Sequence, residues 1–248
     1  MTRPIALVDL DDTLFQTQRK CPPDIALEQL VALGFARDGS ALSYATPRQM
    51  RLIGWLQNTT LLVPVTARSL DALRRVRIHF AAAVCAHGGV ILDETGAVDT
   101  TWSRHIADQA EEHADSLESV AKAVRCAAGA EPISVRVMAE NHIPLYVLVK
   151  HDNAEETALY RAVDAMADEV PPDWTIHRNG NNVALMPPFL GKHHAVAAML
   201  PALRERHPDS PVIGVGDSIT DAPFMALCDF AMMPTASQLA AGLTRLRT

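Results

Sequence analysis

The sequence predicts an α/β fold: a doubly wound parallel-sheet core with an α+β domain inserted into it. Three observations lead there. Short, continuously apolar segments at residues 5–8, 61–65 and 212–215 each run into polar residues, as strands buried on both faces of a parallel sheet do. Helical patterns lie between them, and alternating strands and helices build a doubly wound sheet. The middle of the chain departs from that alternation, with pairs of strands following longer helical stretches.

The elements follow in order. Residues 5–8 form the first strand. Residues 31–35 and 41–45 flank Ala36-Arg37-Asp38-Gly39-Ser40, where the Asp-Gly step predicts a hairpin turn. So close behind the first strand, this hairpin should overhang that strand's carboxyl end. Pro47 opens a helix through Leu56, with Thr46 as its N-cap. A strand at 61–65, a helix at 69–80 and a strand at 82–86 come next, the last ending in His87-Gly88-Gly89. Residues 101–128 read as one long helical stretch. Strands at 133–138 and 143–149 flank Glu140-Asn141-His142, residues 153–170 read as helical, and strands at 174–178 and 183–186 flank Asn179-Gly180-Asn181-Asn182. This helix-strand-strand repeat predicts an antiparallel sheet with helices on one face. The core is assigned to residues 1–92 and 189–248, and the insert to 93–188. Residues 191–206 return to a helix, and 212–215 supply the third apolar strand.

Composition narrows the function. With 248 residues, 48% of them apolar, the chain can bury a substantial core. A formal net charge of -7 and the lack of a Lys/Arg cluster argue against a nucleic-acid partner. The N-terminus has no long apolar stretch of the kind a secretory signal needs, and no segment approaches the length of a membrane span. Cys21, Cys85, Cys126 and Cys228 are scattered without a CxxC pair, which predicts free thiols and a cytoplasmic protein.

In open α/β sheets the ligand lies outside the carboxyl ends of the strands. The residues there are Asp9-Leu10-Asp11-Asp12-Thr13, Thr66-Ala67-Arg68 and Gly216-Asp217-Ser218-Ile219-Thr220-Asp221, with Lys192 just past the insert. Taken singly, each has a plain reading. Asp-rich turns cap helices, Thr66 caps the next helix, and a lysine is usually a solvated surface residue. Together they bring carboxylates to one end of one sheet, where they repel unless a cation neutralises them.

The order and spacing of these four motifs resemble the haloacid dehalogenase superfamily. DLDDT at 9–13 matches its DxDxT motif, VPVTAR at 63–68 its second, Lys192 its third, and GDSITD at 216–221 an acidic fourth. The insert between the second and third motifs resembles the C2B type of cap, as in sucrose-phosphate, trehalose-phosphate and mannosylglycerate phosphatases and Cof-like hydrolases. The sequence departs from many relatives in having Ala67 where glycine is common and His193 where glycine usually follows the lysine.

The resemblance implies a Mg2+-dependent phosphoric monoester hydrolase acting on a small phosphomonoester, most naturally a sugar phosphate. It implies Asp9 as nucleophile and Asp11 as general acid and base. It implies phosphate binding by Thr66, Arg68 and Lys192, and metal binding by Asp9, the backbone carbonyl of Asp11, Asp217 and Asp221. Thr13 would fix the turn. Arg68 has an equally plain reading as an exposed residue at a helix start. A dehalogenase lacks the second aspartate, so Asp11 favours phosphate chemistry. A phosphomutase or a non-catalytic sugar-phosphate sensor remains open on the same architecture. Polar candidates for choosing the substrate are Arg136, His142, Lys150, His151, Arg178, Asn179 and Asn181. No membrane or nucleic-acid partner is expected, and the oligomeric state is not legible.

Overall fold

The computed structural model describes residues 3–245. The chain divides into two compact units, one of residues 1–102 and 192–248 and the other of 103–191. The first unit begins with β1 (Ile5–Val8), β2 (Gln16–Thr17), β3 (Val31–Phe35), β4 (Ala41–Ala45), α1 (Pro47–Thr59), β5 (Leu61–Pro64), α2 (Leu70–Leu73), β6 (Ala83–Cys85) and β7 (Val90–Leu92). Helix α3 (Thr100–Glu112) crosses the boundary into α4 (Ala114–Ala128), β8 (Ile133–Glu140), β9 (Ile143–His151), α5 (Glu156–Asp164), β10 (Thr175–Asn179) and β11 (Asn182–Met186). The chain then returns through α6 (Lys192–Arg206), β12 (Val212–Val215), α7 (Ala222–Met225), β13 (Phe230–Met232) and α8 (Gln238–Arg245).

The first unit is built on a parallel sheet ordered β13-β12-β1-β5. A parallel bridge from Val65 to Val84 continues the sheet to β6, which also pairs antiparallel with β7. The central strand, β1, is paired on both sides and every residue of it is buried, which is why its sequence is uninterrupted Ile-Ala-Leu-Val. Strands β3 and β4 form the expected hairpin, joined by β2 into a three-stranded antiparallel sheet. Its turn places Gly39 at φ +84°, in the left-handed region that a glycine enters without a Cβ clash. Helix α1 starts with a capping box: the Thr46 hydroxyl accepts from the Gln49 N–H at 3.3 Å, and the Gln49 side chain accepts from the Thr46 N–H at 2.9 Å. The Gln49 amide also donates to Gln16 at 2.6 Å, tying β2 to α1.

The second unit is an antiparallel sheet ordered β10-β11-β9-β8. Helices α4 and α5 supply Leu117, Val120, Val124, Leu159 and Val163 to a core shared with Val147, Val149, Val183 and Leu185 of the sheet. The turn between β8 and β9 is Asn141-His142, both at positive φ, the backbone of a two-residue hairpin turn.

Three expectations need correction. The helix anticipated over 69–80 is a single turn, α2. The backbone beyond it pairs with the hairpin instead: Phe35 N–H donates to Arg75 O and Arg77 N–H to Leu33 O, at 3.2 and 2.8 Å. The long helix over 101–128 is broken at His113 (φ −106°, ψ 3°), whose ring nitrogen lies 2.9 Å from the Gln109 carbonyl oxygen. The helix over 153–170 is confined to α5 and a short 3-10 turn at Ala167–Glu169. Residues just after Leu92 turn back on β7 through a Leu92–Val98 bridge within the first unit. The four cysteines are free, and no helix among the described residues is long and apolar enough to cross a membrane.

Candidate active site

The site grows out of the end of β1. Asp9 continues the strand by one residue, its N–H donating to Val215 O at 2.8 Å, and the residue is only 5% exposed at the carboxyl edge of the sheet. The chain then turns sharply. Asp12 takes φ +65° and Leu14 N–H donates to Leu10 O at 2.9 Å, which brings Thr13 back over the strand end. The Thr13 hydroxyl lies 3.0 Å from Asp9 Oδ2 and 3.1 Å from Asp217 Oδ1. One hydroxyl proton cannot serve both carboxylates at once, so one of the two is always short of a donor.

Asp217 and Asp221 come from the loop after β12. Asp221 is fully buried and organises that loop: its Oδ2 accepts from Asp217 N–H (3.2 Å), Ser218 N–H (3.0 Å) and the Ser218 hydroxyl (2.7 Å). Gly216 makes this packing feasible, since a Cβ there would sit 2.6 Å from Asp221 Cβ. Lys192, the first residue of α6, donates at 2.6 Å to both Asp9 Oδ1 and Asp221 Oδ1, with its side chain 9% exposed.

These carboxylates are under-neutralised. Oxygens of Asp9, Asp217 and Asp221 lie within 4.8 Å of one another, with one ammonium among them. Burial pushes Asp9 up to about 8 in spite of Lys192, with Asp221 and Asp11 adding to the rise. Asp217 is raised to about 6 by burial and then by Asp221. Burial works against an ionised Asp221 too, but Lys192 and the Ser218 donors outweigh it and hold the group below the usual carboxylate range. The same two carboxylates outweigh burial at Lys192 and keep the ammonium above the usual lysine range. An all-oxygen cluster with excess negative charge suits a hard divalent cation.

Asp11 is treated differently. Arg68 grips it with two charge-assisted bonds, Nε to Oδ2 and a terminal nitrogen to Oδ1, both at 2.7 Å. The same guanidinium donates to Ser43 Oγ of β4 at 2.9 Å and lies 5.1 Å from the Phe15 ring centroid. Gly34 on β3 leaves room for it, because a Cβ there would come within 3.3 Å of an Arg68 nitrogen. The guanidinium, expected at phosphate or in solvent, is thus committed to Asp11 and the hairpin. Thr66 is fully buried at the end of β5, its Oγ1 accepting from Arg68 N–H at 3.2 Å, while Ala67 keeps a negative φ and so needs no glycine.

The structure therefore brings Asp9, Asp217, Asp221 and Lys192 into one cluster, and pairs Asp11 with Arg68 beside it. Sequence reasoning missed Ser43, Phe15 and Ser218. A serine in a strand and a phenylalanine after a turn carry no signal of their own, whereas Ser218 lies inside a recognised motif.

No protein-family model and no curated protein matches the chain. Solved structures do. The Synechocystis sucrose-phosphatase, determined with sucrose and phosphate, is similar at 17% identity over 100% of this chain and 98% of that one, with a TM-score of 0.55. The C-terminal domain of the C. albicans trehalose-6-phosphate phosphatase is similar at 17% identity over 90% of this chain and 72% of that one, with a TM-score of 0.52. With a parallel core, a second α+β unit between its second and third motifs, and acidic loops at the sheet's carboxyl edge, the chain shares its fold with these two phosphatases.

Proposed function

We propose that the chain is a Mg2+-dependent phosphatase that hydrolyses a small phosphomonoester through a phosphoryl group carried on Asp9. The observation that carries this reading is the setting of Asp9, a buried carboxylate at the end of the central strand, held from one side by Lys192 and from the other by Thr13. Those contacts fix the direction of both oxygens, as a nucleophile requires.

In this reading a carboxylate oxygen of Asp9 attacks phosphorus and the P–O bond to the leaving alcohol breaks. Asp11 gives the departing alkoxide its proton. Asp11 then takes a proton from the water that attacks the acyl phosphate, which releases inorganic phosphate and restores Asp9. Lys192 offsets the charge of Asp9 and the phosphoryl oxygens, and the Thr66 hydroxyl with nearby N–H groups binds those oxygens. Asp11 has to leave Arg68 before it can move a proton, and Arg68 is then free to pair with phosphate. The hairpin that holds Arg68 through Ser43 thereby sets when the acid is released.

The clustered carboxylates fit Mg2+. Asp9 and Asp217 would hold it, with the backbone carbonyl of Asp11, while Asp221 supports them through the loop because its own oxygens already accept four bonds and contacts. Bound there, the ion neutralises carboxylate charge and polarises phosphoryl oxygens.

For substrate we propose a phosphorylated sugar or polyol, on the fold shared with a sucrose-phosphatase and a trehalose-6-phosphate phosphatase. The test is a comparison of kcat/KM over sugar phosphates, nucleoside monophosphates, phosphoserine and a phosphopeptide. A preference for sugar phosphates is expected. Preference for the phosphopeptide or for nucleotides would overturn the substrate class, and no phosphate release from any ester would favour a sensor.

A further inference from the structure

One face of the second unit's sheet is covered by α4 and α5. Side chains alternate along β8 and β9, so Val135, Val137, Val147 and Val149 point to α4 and α5. The register Ser134↔Lys150 and Arg136↔Leu148 places the intervening residues together on the opposite face. There they line a concavity of about 460 Å³ whose wall also includes Met138, Asp152 and the ends of β9 and the β10–β11 turn.

Two features of this concavity call for a ligand. The first is its charge. The second unit carries seven Lys and Arg against fourteen Asp and Glu, so any cation in it has carboxylates to choose from. Arg136 and Lys150, however, stand diagonally across one strand pair, and no carboxylate forms an ion pair with either among the described residues. Partial burial, and after it the charge of Arg136, lower the Lys150 pKa. The only carboxylate in the wall, Asp152, does not pair with them.

The second feature is the division of labour among the polar groups. Asn181 is committed to the backbone of His151, accepting from its N–H at 3.0 Å and donating to its carbonyl at 2.7 Å. The His151 ring is buried, its Nδ1 accepting from Asn153 and Glu155 N–H groups at 3.2 and 3.3 Å. These two residues build the wall and are not available to a ligand. Arg136, Lys150 and Ser134 are, with Met138 and Leu148 as an apolar floor between them.

We propose that this concavity is an anion subsite, in which Arg136 and Lys150 take a phosphate or carboxylate group. Ser134 adds a donor, and the Met138–Leu148 floor contacts the carbon body of the ligand. The geometry suits a planar or tetrahedral anion: a guanidinium offers paired donors and an ammonium a compact charge on the other side. The anion belongs either to the substrate, as a second acidic group, or to a separate metabolite.

The experiment is a titration of the full-length, isotope-labelled protein with inorganic phosphate, followed by backbone amide shifts. The amides of Ser134, Arg136, Leu148 and Lys150 should move together and saturate, with a midpoint that weakens as salt is added. In the double variant Arg136→Gln, Lys150→Gln that midpoint should rise at least about tenfold, the loss of charge-assisted bonds. The charge-preserving pair Arg136→Lys, Lys150→Arg should stay near wild type, and thermal melting should change little for both because neither residue belongs to the buried core. Amides that do not move, or a Gln variant that titrates like wild type, would overturn the proposal.

A second arm assigns the source. If the Gln variant loses kcat/KM only on esters bearing another acidic group, the anion is part of the substrate. If no ester is affected while the shifts are lost, it is a separate metabolite. Were wild type to hydrolyse nothing and the shifts persist, the hydrolase reading would fall and the anion subsite would stand.

Discussion

Asp9 and Asp11 are two residues apart and live in opposite electrostatic worlds. Asp9 shares one ammonium with buried Asp221 and one hydroxyl with Asp217, so its side of the strand end carries more negative charge than the protein neutralises. Asp11 is gripped at both oxygens by one guanidinium, whose further contacts to Ser43 and Phe15 are to neutral groups. The difference is one of supply. The Asp9 side is built to receive a cation, and the Asp11 side is already balanced by the protein. In the proposed mechanism the group that attacks phosphorus is the one held rigidly in a charged pocket, and the group that moves protons is the one held by a partner it can exchange.

The sharpest way to break that contrast is at Asp11. Asp11→Asn removes proton transfer and leaves the Asp9 cluster whole. Turnover of an alkyl phosphate should fall about 10²–10⁴-fold, while p-nitrophenyl phosphate, whose leaving group needs no proton, should lose far less in its first step. Measuring burst and steady-state rates on both esters checks this. Equal losses on the two would mean that Asp11 is structural.

The metal requirement probes the other side. Metal ligands must be deprotonated, and Asp9 is pushed up to about 8 and Asp217 to about 6 in the metal-free protein. Protons therefore compete with Mg2+ as pH falls. The Mg2+ concentration for half-maximal binding should rise by roughly tenfold per pH unit between pH 8 and 6, and level off above 8. Calorimetric titration at several pH values reads it directly, and a pH-independent affinity would contradict the charge excess at Asp9. Activity should vanish in excess chelator and return with Mg2+, while Ca2+, with its larger and looser shell, should restore it poorly.

The smallest effect concerns the loop that carries Asp217. Gly216→Ala would force a Cβ to within 2.6 Å of Asp221 Cβ. Overpacking of that kind costs about 1–3 kcal/mol, and the backbone shift should also weaken Mg2+ binding. Thermal unfolding and a metal titration of the same variant measure both; an unchanged melting curve would show that the loop relaxes freely.

How far the sequence could be read follows from what each element depends on. The bounds of β1 and β12 match their apolar runs residue for residue, since β1 is wholly buried and β12 nearly so. Helix α1 was legible through Thr46 and Pro47, a local capping pattern that Gln49 completes in the structure. Residues 74–80 were not, because their backbone is claimed by the β3–β4 hairpin some forty residues earlier, and helical spacing carries no trace of such a competitor. The short strands β7 and β13 were also missed; β13 is largely exposed and lacks the apolar run that marks a central strand. Within the site, the strand-end carboxylates and Lys192 could be found from motif order. The Arg68–Asp11 pair could not, since it depends on Ser43 and Gly34 of the hairpin coming to lie beside both.

The account rests on a covalent role for Asp9, and one measurement addresses it directly. The protein is mixed with a turned-over phosphomonoester and Mg2+, quenched in acid within the first turnovers, and reduced with borohydride, which converts an acyl phosphate to the corresponding alcohol. Peptide mass spectrometry then locates the reduced residue. Conversion of Asp9 to homoserine, dependent on substrate and absent in Asp9→Asn, is the predicted result. Steady phosphate release with Asp9 unmodified, or with the label on another carboxylate, would contradict it.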